Sequence, residues 1–259
     1  NLFDFDKSQS ITYEKLLSID RYILSTIQQL IERVKKAYDE FDFHRVYSLL
    51  FNYCNITLSR FYFDILKDRL YTYGASSPER RSAQTVLYEL LRTLSVMFAP
   101  IIPFTTEEVW REAGLSGSVH LQDFPIGDKS LINEALIAEW EKLTTIREKV
   151  LLPLEVARRD ELIGNSLEAK VRIFARDADE IKLLRNMEDI LPSVFIVSQV
   201  EVVSKESDIS GMEIDELLIE VKRAEGNKCV RCWIYSNTVG ENPIHPTLCR
   251  KCIEVITSN

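Results

Sequence analysis

No stretch of the sequence approaches the about 18 apolar residues in a row that a membrane-crossing helix needs. Nor do Asn1-Leu2-Phe3-Asp4-Phe5-Asp6 have the basic-then-apolar layout of a signal peptide. A soluble, cytoplasmic protein is the expectation. Disulfide scaffolding is excluded as well, because five cysteines in 259 residues are too few for it. An excess of positive charge is also missing: 32 Lys and Arg stand against 40 Asp and Glu, a formal charge of −8, so attraction to a polyanion must come from a local patch. There is no internal repeat and no low-complexity segment. An initiating Met is absent, and the first six residues read as the interior of a longer polypeptide.

What is present is a core and one cysteine cluster. Hydrophobic residues make up 46% of the chain, enough for a packed interior and too many for disorder. In the first half, apolar residues recur at three- and four-residue steps: Leu16, Ile23, Ile27, Leu30, Val34, Ala37 and Phe41 form one stripe. Asp42 is placed to cap a second helix that turns Val46, Leu49, Leu50, Tyr53 and Ile56 inward and continues through Phe61 and Ile65. Ser77-Pro78 marks the start of a third helix carrying Val86, Leu87, Leu90, Leu91, Leu94, Met97 and Phe98. Thr105 and Glu108 are spaced as a capping box for a short fourth helix ending before Gly114. This predicts a mainly α chain, with a helical bundle over residues 1–128.

A further helix is predicted from Leu131 to Ala157, kinked or broken at Pro153. The period then shortens. Lys170–Phe174, Val194–Val197, Val200–Val203 and Leu217–Val221 read as strands, with a short helix from Asp179 to Asn186. A small α+β domain is expected over 129–222, and a cysteine-rich domain over 223–259.

Cys229, Cys232, Cys249 and Cys252 are spaced C-x2-C-x16-C-x2-C, which a single tetrahedral zinc satisfies. Four thiolates leave no position for water, so the expected Zn2+ is structural and folds a segment too short to build its own core. Two such pairs without a βαβ context argue against a redox motif. His245, between the pairs, reads as a loop residue, and Cys54 as a buried, inert thiol. Charge reverses here: from residue 221 to 259, Lys222, Arg223, Lys228, Arg231, Arg250 and Lys251 face Glu225, Glu241 and Glu254, six minus three, or +3.

The words around these cysteines are specific. Cys229-Val230-Arg231-Cys232-Trp233-Ile234-Tyr235, Val239-Gly240 and His245-Pro246-Thr247-Leu248-Cys249 resemble the C-terminal zinc finger of bacterial-type isoleucyl-tRNA synthetases, a finger shared with formamidopyrimidine-DNA glycosylases. Upstream, Tyr13–Tyr22, Asp42-Phe43-His44-Arg45-Val46, Phe61–Tyr71, Arg81–Thr85 and Ala99–Trp110 resemble the synthetases' anticodon-binding domain, and Ile163–Ala169 the junction domain that follows it. The resemblance covers nearly the whole chain.

It implies a class I aminoacyl-tRNA ligase that charges isoleucine tRNA using ATP, with a catalytic domain bearing HIGH and KMSKS signatures and an inserted editing domain. Neither signature occurs in the sequence, and none of its three histidines stands in a HIGH context. The implied role is therefore that of a piece, inactive by itself and monomeric, which binds the anticodon stem-loop of isoleucine tRNA for catalytic and editing domains carried elsewhere in the polypeptide.

Sequence-specific RNA reading needs splayed bases stacked on aromatic or guanidinium planes, with cations on the phosphates. Arg231, Trp233, Arg250 and Lys251 are the candidates on the finger, Trp233 having a second reading as a cover over the metal. In the bundle, Arg60, Lys67 and Arg69 are candidates for phosphates, with Asp64 and Asp68 interleaved as competing partners. Two rival classes stand beside this one: a DNA-repair glycosylase, which needs a catalytic N-terminal proline that Asn1 does not supply, and a zinc-ribbon scaffold binding another protein.

Overall fold

In the computed structural model, which describes residues 2–257, the chain divides into two compact units. One comprises residues 2–70 and Ala75–Ile137, the other Tyr71–Gly74 and residues 138–257.

The first unit is helical. Helix α1 (Ser18–Asp39) encloses Ile23, Ile27, Leu30, Val34 and Ala37, as the stripe predicts. The stripe stops there. Glu40 ends the helix and Phe41 adopts a left-handed φ of 57°, so Phe41 is 78% exposed instead of buried. Helix α2 (Phe43–Asn52) is capped by Asp42, whose side chain accepts from the Arg45 amide. It runs into a π-helical stretch, Tyr53–Tyr62, and then α3 (Phe63–Thr72). The wider π turn shifts the helical phase, so Ile56 points outward at 52% exposure while Tyr53, Leu58, Phe61 and Tyr62 are buried.

Helix α4 (Pro78–Phe98) begins at the predicted cap: Ser77 accepts from the Arg80 amide and Pro78 occupies the first turn. Helix α5 (Pro103–Glu112) starts earlier than the Thr105–Glu108 box requires. Pro103 opens the helix at no cost in hydrogen bonds, which leaves Thr105 inside the first turn with nothing to cap. Trp110 packs with Ala99 and Val119.

A polar knot lies inside this unit. Asp20, fully enclosed, takes both guanidinium nitrogens of Arg69, at 2.8 and 3.0 Å. It also accepts from the Tyr62 hydroxyl at 2.7 Å and from the Ser82 hydroxyl. Four lone pairs are thus met by donors from the π stretch, α3 and α4, which is what allows a carboxylate to be buried at all.

In the second unit, helix α6 (Glu134–Arg159) runs through Pro153 without a break, and from its residues after Ile137 it encloses Trp140, Leu143, Ile146, Val150 and Leu154. Strands β1 (Ala169–Ala175), β2 (Gln199–Val202), β3 (Met212–Ile214) and β4 (Leu217–Arg223) form a sheet of order β2-β1-β4-β3. β1 is parallel to β2 and antiparallel to β4. Alternation along β1 buries Ala169, Val171, Ile173 and Ala175 on one face. On the other, Arg172 pairs with Glu201 and Glu220, and Lys170 with Glu201 and Glu225.

Helix α7 (Ala178–Asn186) matches the expected short helix and is capped by Asp177. The strand expected at Val194–Val197 is instead helical, as α8 (Leu191–Phe195). Pro192 suits a first helical turn, and Leu191, Val194 and Phe195 are buried together at helical spacing, which outweighs the β preference of the branched residues. Ile196, at φ 58°, closes the turn. No helix among the described residues is long and apolar enough to cross a membrane.

Candidate metal centre

The cysteine-rich segment has little else from which to build a core. Its short strands β5 (Asn227–Lys228) and β6 (Tyr235–Ser236) pair as a ribbon, and helix α9 (Arg250–Thr257) starts directly after Cys249 and carries Cys252 in its first turn. Gly226 enters the ribbon at φ 85°, and a side chain there would collide with the Ser236 carbonyl, so the turn requires glycine. The buried cluster consists of Cys229, Cys232, Val239, Cys249 and Cys252, with Ile234 and Leu248 packed against it.

The first knuckle is closed by the Trp233 amide donating to the Cys229 carbonyl at 2.9 Å, and by the Cys229 amide donating to the Ile234 carbonyl at 3.0 Å. Across from it, the Cys249 amide donates to Cys229 Sγ at 3.4 Å. All four Sγ atoms lie within 4.8 Å of one another, and Cys232 Sγ is 3.7 Å from Cys249 Sγ.

The donor set fits zinc. Four sulfurs at about 2.3 Å from a tetrahedral centre are separated by about 3.8 Å, close to the Cys232–Cys249 distance. The electrostatics agree. Burial works against ionising Cys229, but amides of Cys232, Cys249 and Arg231 aimed at its sulfur more than offset that and bring the thiol down to about 6. Burial pushes Cys232 and Cys249 up. Cys229 thus ionises readily while Cys232 and Cys249 resist it, and a bound dication favours their thiolate forms. Cys54, half-buried in the π stretch, has its thiol pushed up by burial and fits the inert reading.

Trp233 does not cover the metal. It is 60% exposed, held at φ 65°, with the Lys228 ammonium 5.6 Å from the ring centroid. A bulky residue in the left-handed region carries strain of about 1–3 kcal/mol, so the knuckle presents this indole to solvent at a cost. Arg250 is exposed and pairs with Glu241 at 2.8 Å. The Lys251 ammonium stands 4.9 Å from the Tyr73 ring centroid.

Arg231 behaves otherwise. Its Nη1 donates to the Thr72 carbonyl at 2.5 Å and approaches Cys252 Sγ at 3.4 Å, a structural engagement that its place between two cysteines does not announce.

In the bundle, Arg60 is exposed on the π stretch, and Lys67 is exposed and pairs with Asp64 at 2.6 Å. Arg69 corrects the sequence expectation. At 8% exposure, with its guanidinium spent on Asp20, it is a core residue without a surface to offer a phosphate. Neither Asp64 nor Asp68 predicts that outcome, since the partner lies 49 residues earlier.

Comparison with known proteins follows the same two segments. Residues 20–173 match the family described as the anticodon-binding domain of tRNA ligase, and residues 226–255 the zinc finger found in FPG and IleRS. Over 99% of its length the chain is 41% identical to the isoleucine–tRNA ligase of Syntrophotalea carbinolica. It is 42% identical to that of Caldicellulosiruptor bescii over its full length and 42% identical to that of Fervidobacterium nodosum over 99%. The chain spans 28% of the length of each of these relatives. With the finger match and the sulfur geometry together, the four cysteines constitute one structural zinc centre.

Proposed function

The chain belongs to the anticodon-binding domain family of tRNA ligases, and from that membership we propose that it is the tRNA-recognising C-terminal part of an isoleucine–tRNA ligase. The observation that carries this reading is the presence, in one chain, of an anticodon-binding match over 20–173 and a finger match over 226–255. A DNA glycosylase accounts for the finger and leaves the helical bundle unexplained. The zinc-ribbon scaffold likewise has no use for it.

In this proposal a helical domain (1–128), a junction domain (129–222) and the finger (223–259) bind the anticodon arm of isoleucine tRNA. ATP-dependent attachment of isoleucine belongs to catalytic and editing domains of the same cytoplasmic, monomeric polypeptide, outside this sequence. The exposed indole of Trp233 supplies a stacking plane for an unpaired base, with Lys228 beside it, and Lys228, Arg250 and Lys251 are the finger's cations proposed to meet phosphates. Arg60 and Lys67 are the proposed phosphate contacts of the bundle.

The test is binding of the zinc-loaded chain to an isoleucine anticodon stem-loop and to one with a changed anticodon, at two salt concentrations. A preference for the first, with affinity falling as salt rises, is the expected result. Equal, weak binding to both overturns the recognition proposed here. Trp233→Ala should weaken binding to the isoleucine stem-loop by about 1–3 kcal/mol, the usual contribution of one stacked base. An unchanged Kd would remove Trp233 from the interface.

A further inference from the structure

Arg231 sits inside the first knuckle, but its side chain crosses to the second. There Nη1 lies 3.4 Å from Cys252 Sγ, and the same nitrogen donates to the carbonyl of Thr72, the last residue of α3 and 159 positions earlier. The next residue, Tyr73, lies beneath the Lys251 ammonium at 4.9 Å, and Gly74 leaves room beside Val255 of α9. The segment Tyr71–Gly74 accordingly belongs to the same compact unit as the finger, although its sequence neighbours on both sides do not.

We infer that Arg231 is a positioning residue joining the zinc centre to the C-terminal end of α3, so that metal occupancy determines whether residues 71–74 are ordered. The chemistry is that of an outer-shell donor. Four thiolates around one dication carry a net charge of −2, and a guanidinium bonded to one sulfur offsets part of it and fixes that ligand's direction. Its attachment to the Thr72 carbonyl, one of the last acceptors of a helix, holds the helix end at the same point. Losing the metal frees Cys252, removes the anion that anchors Arg231, and releases the α3 terminus with it. This goes beyond tRNA recognition and needs no RNA to test.

The experiment uses the zinc-loaded full chain and its Arg231→Gln variant, with two readouts: the rate at which a chromogenic chelator takes the zinc, and hydrogen exchange at the amides of Tyr71–Gly74. Loss of an outer-shell partner typically weakens metal affinity 10–100-fold, and zinc release should accelerate by about that factor, together with faster exchange at 71–74 while zinc is still bound. Arg176→Gln, which removes an exposed guanidinium paired with Glu206, should leave both readouts unchanged. If Arg231→Gln fails to fold, Arg231→Lys serves instead. Its ammonium ends one bond short of Nη1, cannot reach both partners, and should move both readouts the same way. Zinc release at the parent rate, or parent-like exchange at 71–74 in the folded variant, overturns the inference.

Discussion

Cys249→Ser should unfold the finger from Gly226 to the end of α9 and abolish stoichiometric zinc. The reason is the composition of its core: of the five residues in the buried cluster, four are the ligands themselves and only Val239 is aliphatic. So small an apolar set cannot offset the entropy of ordering some thirty residues at about 1–2 kcal/mol each. Metal coordination supplies the difference, since binding to structural zinc sites contributes about 10–16 kcal/mol and is present only when the segment is folded. Serine keeps the shape of the side chain but gives up the thiolate. Hydrogen exchange should show the amides of residues 226–257 losing protection in the variant, and losing it equally when the parent chain is treated with a chelator, with α1 amides as the internal reference. A finger that stays protected without zinc would sink the argument.

The second large effect lies in the bundle. Arg69→Met should destabilise it by about 3–5 kcal/mol, because Asp20 would remain enclosed with its counter-charge gone. Tyr62 and Ser82 still donate to the carboxylate but cannot neutralise it. For a unit of this size the midpoint of thermal unfolding should fall by roughly 10–20 °C. The double replacement Asp20→Leu with Arg69→Met removes both charges and should recover much of the loss, since burying neither ion avoids both desolvation penalties. A single variant that melts within a degree or two of the parent would mean that Arg69 is not holding the carboxylate.

These two sites show what the sequence made readable. The zinc centre was legible because its chemistry is local: two C-x-x-C knuckles fix their own geometry, and the ligands can be named before any fold is known. The caps at Asp42 and at Ser77-Pro78 were legible for the same reason. Arg69 was not, because its partner stands on another helix, and the acids beside it at Asp64 and Asp68 gave a plausible but wrong account of its charge. Arg231 is similar, its acceptor being 159 residues away. Ile56 turns outward because the α period that its spacing suggests does not hold through a π stretch, where the turn is wider. At Val194–Val197, branched side chains suggested a strand, but burial at helical spacing decided otherwise.

The exposure of Trp233 also has a spectroscopic consequence. The chain has three tryptophans; Trp110 and Trp140 are enclosed, and Trp233 alone of them stands in water. An aqueous collisional quencher such as iodide therefore reaches one indole, and that indole sits on the finger. This chain thus carries an intrinsic optical reporter: a ligand that covers the knuckle shields the quenchable part of the emission, whereas one that binds elsewhere leaves it open, with no dye or mutation introduced.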